Sequence, residues 1–173
     1  MFRKAEKKDI ADVEKIYDEI ISKEESEGIM TGWKRGIYPT RATAENALKK
    51  DELYVCEKDG KVLGTGIFNH NQVDEYKFGS WKIPAEDSEI FVLHTLVISP
   101  KASGKGLGKK FIDFYNRLAK ERNCKSLRID TNENNTAARN FYAKLGFSEV
   151  GIAPCNFNGL NDINLVLLER EVI

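Results

Sequence analysis

The chain has 173 residues, enough for one domain (1–173) with a full hydrophobic core and short for two. Lys and Arg number 27 and Asp and Glu 27, which removes the general electrostatic case for a nucleic-acid partner and leaves only a local basic patch at 101–110. No apolar run approaches the ~20 residues of a membrane span, and Met1 to Glu6 holds no hydrophobic signal core, so the expected location is the cytoplasm with no membrane partner.

Phe2 to Ala5 reads as a short first strand. From Asp9, a plausible N-cap, to about Lys23, the apolar residues Ile10, Val13, Ile16, Tyr17, Ile20 and Ile21 recur at spacings of three and four, the pattern of an amphipathic helix. Gly28, Gly32, Gly36 and Pro39 break it, so 24–41 is a loop. Its Trp33 and Tyr38 have two uses open to them, a lip over a pocket or a cover for the core. Thr43 is expected to cap a second helix over 44–50.

Residues 53–68 read as a hairpin turning at Asp59-Gly60. The polar connection 69–88, with His70, Trp81 and Pro84, exceeds the usual ~2–5 residues of a hairpin loop, a length that suggests a specific task. His70 itself reads as a solvated loop residue. Residues 89–98 form an apolar run, the mark of a central strand buried on both faces. A glycine-rich turn and a helix to about Arg122 follow. Ser126 to Asn132 is then a strand parallel to the last, since a full helix separates them. A helix from about Asn134 to Leu145 should end on a left-handed Gly146, and strands at 147–152 and 161–172 complete the sheet. Cys56, Cys124 and Cys155 are scattered, without CxxC spacing or a nearby His; they read as reduced, buried thiols, and no metal site is expected.

The turn after the central strand carries the chemistry. Glycines 104, 106 and 108 clear its backbone, and the first-turn N–H groups of the next helix, with Lys101, Lys105, Lys109 and Lys110 around them, suit a phosphate or pyrophosphate. A Walker loop is excluded, because Ser103 stands where GxxxxGK needs its first Gly and Lys110 where Ser or Thr should follow. A dinucleotide fingerprint fails too, with Lys109 in place of the third Gly of GxGxxG.

Ser103-x-x-Gly106-x-Gly108 after a strand resembles the coenzyme-A pyrophosphate loop of the GNAT superfamily of acetyl-CoA-dependent N-acetyltransferases. There Gln or Arg usually stands at the position of Ser103. Asn135 to Phe147 resembles that superfamily's later motif, NxxAxxxYxxxGF, at every position. The resemblance implies an α/β fold (α+β in some schemes): a mixed, mostly antiparallel sheet of about six to seven strands with about four helices, and a splayed parallel pair at 89–98 and 126–132.

It also implies an activity, transfer of acetyl from acetyl-CoA, the co-substrate, directly to a primary amine. A bulge near Leu96 to Ile98 would free backbone groups of Leu96, Val97 and Ile98 for the pantetheine arm and the thioester carbonyl. Ser103, Gly104, Lys105, Gly106, Leu107, Gly108 and Lys109 would hold the phosphates, with Lys105 and Lys109 as charge partners and a weaker contact from Ser103. Asn135 would contact the cofactor near its arm. Tyr142 would protonate the departing thiolate. For the base, His94 comes first, since some family members also carry a histidine there and imidazole titrates near neutrality; Glu89, Asp130 or a water path stand behind it. The acceptor amine, small molecule or peptide, is not legible, and a homodimer stays open. The alternative is a non-catalytic acyl-CoA binding or sensing module.

Overall fold

The computed structural model describes residues 1–28, 31–157 and 160–173. Seven strands form one sheet: β1 (Phe2–Lys4), β2 (Leu53–Lys58), β3 (Lys61–Asn69), β4 (Ile90–Ile98), β5 (Ser126–Asn132), β6 (Ser148–Phe157) and β7 (Leu160–Glu171). Their order is β1-β2-β3-β4-β5-β7-β6, and every neighbouring pair is antiparallel except β4 with β5. The parallel pair arises where expected, with α3 (Leu107–Glu121) as its crossover.

The other helices are α1 (Ile10–Glu27), α2 (Arg41–Lys49) and α4 (Thr136–Lys144). Two have starts that depart in detail from the sequence expectation. Asp9 stands at the N-cap position of α1, as expected, but its side chain makes no capping bond: its carboxylate reaches back to the Glu6 N–H at 2.7 Å and pairs with Arg3 at 2.6 Å, closing a 3-10 turn ahead of the helix. The cap of α2 is Thr40, and Thr43 is its reciprocal partner three residues on, because Thr40 N–H donates to the Thr43 hydroxyl at 3.0 Å. Gly146 closes α4 at φ 84°, with the Phe147 N–H returning to the Tyr142 carbonyl at 3.1 Å. β6 runs five residues past the expected 152. Pro154 disguises it, and is tolerated because β6 is the edge of the sheet.

The sheet separates two layers. On one face α3 and α4 bury Phe91, Leu93, Phe111, Tyr115, Ile129 and Tyr142. On the other, α1 and α2 cover β1 to β4 around Val13, Tyr17, Leu53 and Val97, while the 69–88 connection covers the rest with Tyr76 and Trp81 against Val92, Ala153 and Leu167. All three cysteines are free and buried.

That long connection is fastened by the sheet. Arg128 stacks on Trp81 at 3.8 Å and donates to Gln72; Glu169 accepts the Lys82 N–H at 2.7 Å and the Ser126 hydroxyl at 3.0 Å. His70, exposed as expected, still bonds the Ile90 carbonyl through Nδ1 at 2.7 Å. None of these partners is near in sequence, so the connection's course is set by tertiary contacts.

The sheet opens at one place. β4 and β5 pair only from Ile90 to Leu93 against Ser126 to Ile129, after which they part. Tyr115 sits at the closed end and donates to the Phe91 carbonyl. Beyond it β4 stays with β3 and β5 stays with β7, so the inner backbone edges of His94–Ile98 and Asp130–Asn132 have no strand partner.

Candidate active site

A bulge aims the side chains of the open stretch. Ile67 of β3 opposes His94 and Thr65 opposes Val97, so Thr95 and Leu96 together face one residue, Gly66. Thr95 takes φ 51°, rare for a β-branched residue, and its hydroxyl bonds to the Tyr38 hydroxyl. The extra residue shifts the alternation of the strand: Thr95 faces the α1–α2 layer with Tyr38, whereas Leu96 and Ile98 pack towards α3 and α4.

A cavity of about 140 Å³ fills the gap between the parted strands. Thr95 and Leu96 line it from β4, Asp130 from β5, and Asn135 and Tyr142 from α4. Trp33 and Tyr38 border it, and Trp33 also packs against the core under α1 and α2. Tyr142 approaches from the α3–α4 face. Burial and the charge of Asp130 raise its phenol above the ordinary value, so it keeps its proton and remains a donor. Asp130 approaches from the opposite face, where the Tyr76 hydroxyl donates to its Oδ2 at 2.9 Å. Burial pushes its carboxyl up to about 6, against an ordinary 3.8.

His94 borders the same cavity but is tied on its outer side. The Asn69 Nδ2 donates to Glu52 at 3.0 Å, which turns its Oδ1 towards His94 Nε2, 3.0 Å away; the Asn71 carbonyl is 3.1 Å from the same nitrogen. Two acceptors place the proton on Nε2. Burial pulls the imidazole down to about 4. Glu89 lies at the other end of the strand, 2.7 Å from Lys125, and does not border the cavity. Cys155 does, but burial and then Glu75 push its thiol up to about 12, so it is no thiolate nucleophile.

The glycine-rich turn lies where β4 hands over to α3. Gly104 and Gly106 have φ of 76° and 72°, and a Cβ on either would meet no atom within 4 Å, so the turn is open on its outer side. Gly108 has a different task. A Cβ there would lie 3.0 Å from Phe141, so its bareness lets α3 approach α4. Gly106 is the residue before α3, and no side chain caps the helix, leaving its first-turn N–H groups for a ligand. Of the basic residues, Lys109 pairs with Asp113 at 2.8 Å and Lys101 with Glu19 at 2.6 Å, whereas Lys105 has no ion-pair partner among the described residues. Ser103 is exposed, its N–H returned to the Pro100 carbonyl at 3.2 Å. Asn135 caps α4, accepting from the Ala138 N–H at 3.1 Å, and borders the cavity.

The residues that sequence reasoning missed are Tyr76, which orients Asp130, and Thr95, whose φ makes the bulge. No local pattern marks either. Among the described residues no group of three or more His, Cys, Asp or Glu could hold a metal ion, and no helix is long and apolar enough to cross a membrane.

An open strand edge, a cavity between parted strands and an uncapped helix start, in series, fit an elongated ligand with amides in its middle and phosphate at its end. Residues 14–147 match the model of the acetyltransferase (GNAT) family. The chain belongs to that family. Among GNAT relatives, it is 30% identical over 104 residues to the streptothricin acetyltransferase of Escherichia coli, covering 60% of this chain and 58% of that protein. It is 29% identical over 104 residues to an uncharacterized N-acetyltransferase of Methanocaldococcus jannaschii, covering 59% of this chain and 42% of the relative. The match thus spans about half the length of these two relatives. The GNAT fold extends over the whole chain: the ribosomal-protein-alanine N-acetyltransferase of Brucella melitensis superposes with TM-score 0.72 at 18% identity, covering 99% of each chain. The yncA protein of Salmonella typhimurium, solved with its cofactor acetyl-CoA, gives 0.67 at 19%, covering 100% of this chain and 94% of that one.

Proposed function

We propose that this GNAT protein is an acetyltransferase that moves an acetyl group from acetyl-CoA directly to a primary amine. The observation that carries this reading is the gap between β4 and β5 with a protonated phenol, Tyr142, on one face and a carboxylate raised towards neutrality, Asp130, on the other. A group that holds its proton beside one that can take a proton is what acid–base chemistry at neutral pH needs.

Acetyl-CoA supplies the acetyl group as a thioester, an acyl donor open to an amine. The chain's residues do the rest. The uncapped start of α3, with Gly104, Gly106 and Lys105, binds the phosphate end, while Ser103 and Lys109 border it. The bared edge of Leu96, Val97 and Ile98 pairs with the amides of the arm as a missing strand would, and its N–H groups face the acyl oxygen. Asn135, fixed by its capping bond, lines the passage. Asp130 takes the proton that the amine must lose. His94 is assigned to shape rather than base work, because its Nε2 proton is committed to two acceptors and its ring is a weak base. Tyr142 gives its proton to the sulfur as the carbon–sulfur bond breaks.

Thiol release from acetyl-CoA, followed across a panel of amines, tests the activity. Tyr142→Phe should lower kcat by ~10²-fold or more while leaving CoA affinity unchanged. Tight CoA binding with background thiol release for every amine class would instead favour a sensing module.

A further inference from the structure

The cavity has an outer chamber whose chemistry restricts the acceptor. Resting on the transferase reading, we propose that the acceptor is a monoamine bearing an anionic group at its far end, such as an amino carboxylate or amino phosphate, and not a polyamine or a lysine-rich peptide. An open vestibule of about 500 Å³ lies between α2 and the 69–73 segment, on the Asp130 side of the sheet. It shares Tyr38, Val73 and His94 with the inner cavity, so the two adjoin at these side chains, the waist of the proposed passage.

Charge along that passage is sparse and ordered. Among the described residues Asp130 is the one carboxylate bordering the inner cavity, and none borders the vestibule. Among the described residues Lys50, at the end of α2, is the vestibule's one cation and has no ion-pair partner. Glu52 stands behind Asn69, whose Nδ2 donates to its Oε2 at 3.0 Å, and lines neither chamber. The rest of the rim is neutral, with Asn46 and Asn71 among its hydrogen-bonding groups.

An ammonium entering head first therefore meets one carboxylate at the inner end, and whatever trails behind it meets a cation and carboxamides. A second ammonium would be set beside Lys50 with no carboxylate lining that chamber among the described residues, an arrangement that selects against polycations as much as it selects for anions. His94 adds no charge at the waist, since its ring stays neutral across the physiological range.

The test compares, by thiol release under saturating acetyl-CoA, ω-amino carboxylates with α,ω-diamines and simple alkylamines of matched length, on the wild-type chain and on Lys50→Glu. We expect kcat/KM for the best amino carboxylate to exceed that of its matched diamine and alkylamine by about tenfold, corresponding to ~1.4 kcal/mol, and Lys50→Glu to abolish or reverse the order. Diamines or alkylamines that equal the amino carboxylates would overturn the acceptor class and leave the transferase standing. An order that survives Lys50→Glu would overturn the role of Lys50. Background rates with every amine would overturn the transferase reading itself.

Discussion

Asp130→Asn should make the protein more stable at neutral pH while disabling it. The carboxyl titrates at about 6 in the folded chain against an ordinary 3.8. A raised carboxyl favours the folded state fully below the unfolded value and loses that advantage as pH rises through the folded one. Above about pH 6 the folded chain therefore carries an ionised, poorly solvated group, and at ~1.36 kcal/mol per unit this costs about 2 to 3 kcal/mol. A carboxamide of the same shape never ionises, and its oxygen can still accept from Tyr76. Thermal unfolding near pH 7.5 should then show Tm raised by about 5 to 10 °C for a chain of this size. The gain should shrink to nothing towards pH 4, where both side chains are neutral. Turnover should fall by ~10²-fold or more, because the amide cannot take a proton. A loss of stability at neutral pH, or a gain that is the same at both pH values, would refute the reasoning.

Other changes probe single parts of the site. Tyr76→Phe removes a donor that favours the ionised carboxylate, a bond worth ~1.5 to 3 kcal/mol, so the acid limb of the kcat/KM profile should move up by about one to two pH units; an unmoved limb would separate Asp130 from the rate. Gly106→Ala places a Cβ on a left-handed residue at φ 72°, which should cost ~1 to 2 kcal/mol in urea denaturation. The same variant should raise KM for acetyl-CoA more than it lowers kcat, since the turn binds and does not react.

The parts of the fold that could be read from sequence were the locally encoded ones. Asp59-Gly60 announced its hairpin, and both residues adopt the positive φ such a turn needs. The order of strand, glycine turn and helix fixed the parallel pair, and the motif from Asn135 to Phe147 located α4 and the tyrosine facing the cavity. Caps were harder to place, since Thr40 and Thr43 offer the same hydroxyl and only the backbone decides which is outside the helix. The end of β6 beyond 152 was masked by Pro154, a residue that argues against strand in isolation and is harmless on an edge. The course of 69–88 was beyond reach, because the bonds that hold it join residues more than fifty positions apart, Tyr76 to Asp130 and Gln72 to Arg128.

The surroundings that distinguish His94, Glu89 and Asp130 were beyond reach for a related reason. Residue type suggests a histidine, whereas burial pulls His94 down, Lys125 ties Glu89, and burial lifts Asp130. An imidazole's usefulness as a base depends on its neighbours, and those come from other strands.

The most direct measurement is a crystal structure of the protein with CoA. The arm should lie between β4 and β5, its amides bonded to the bared edge between His94 and Ile98, its diphosphate on the turn before α3 and its sulfur within hydrogen-bonding reach of the Tyr142 hydroxyl. A CoA bound elsewhere, or parted strands that close on each other with the ligand outside, would contradict the account.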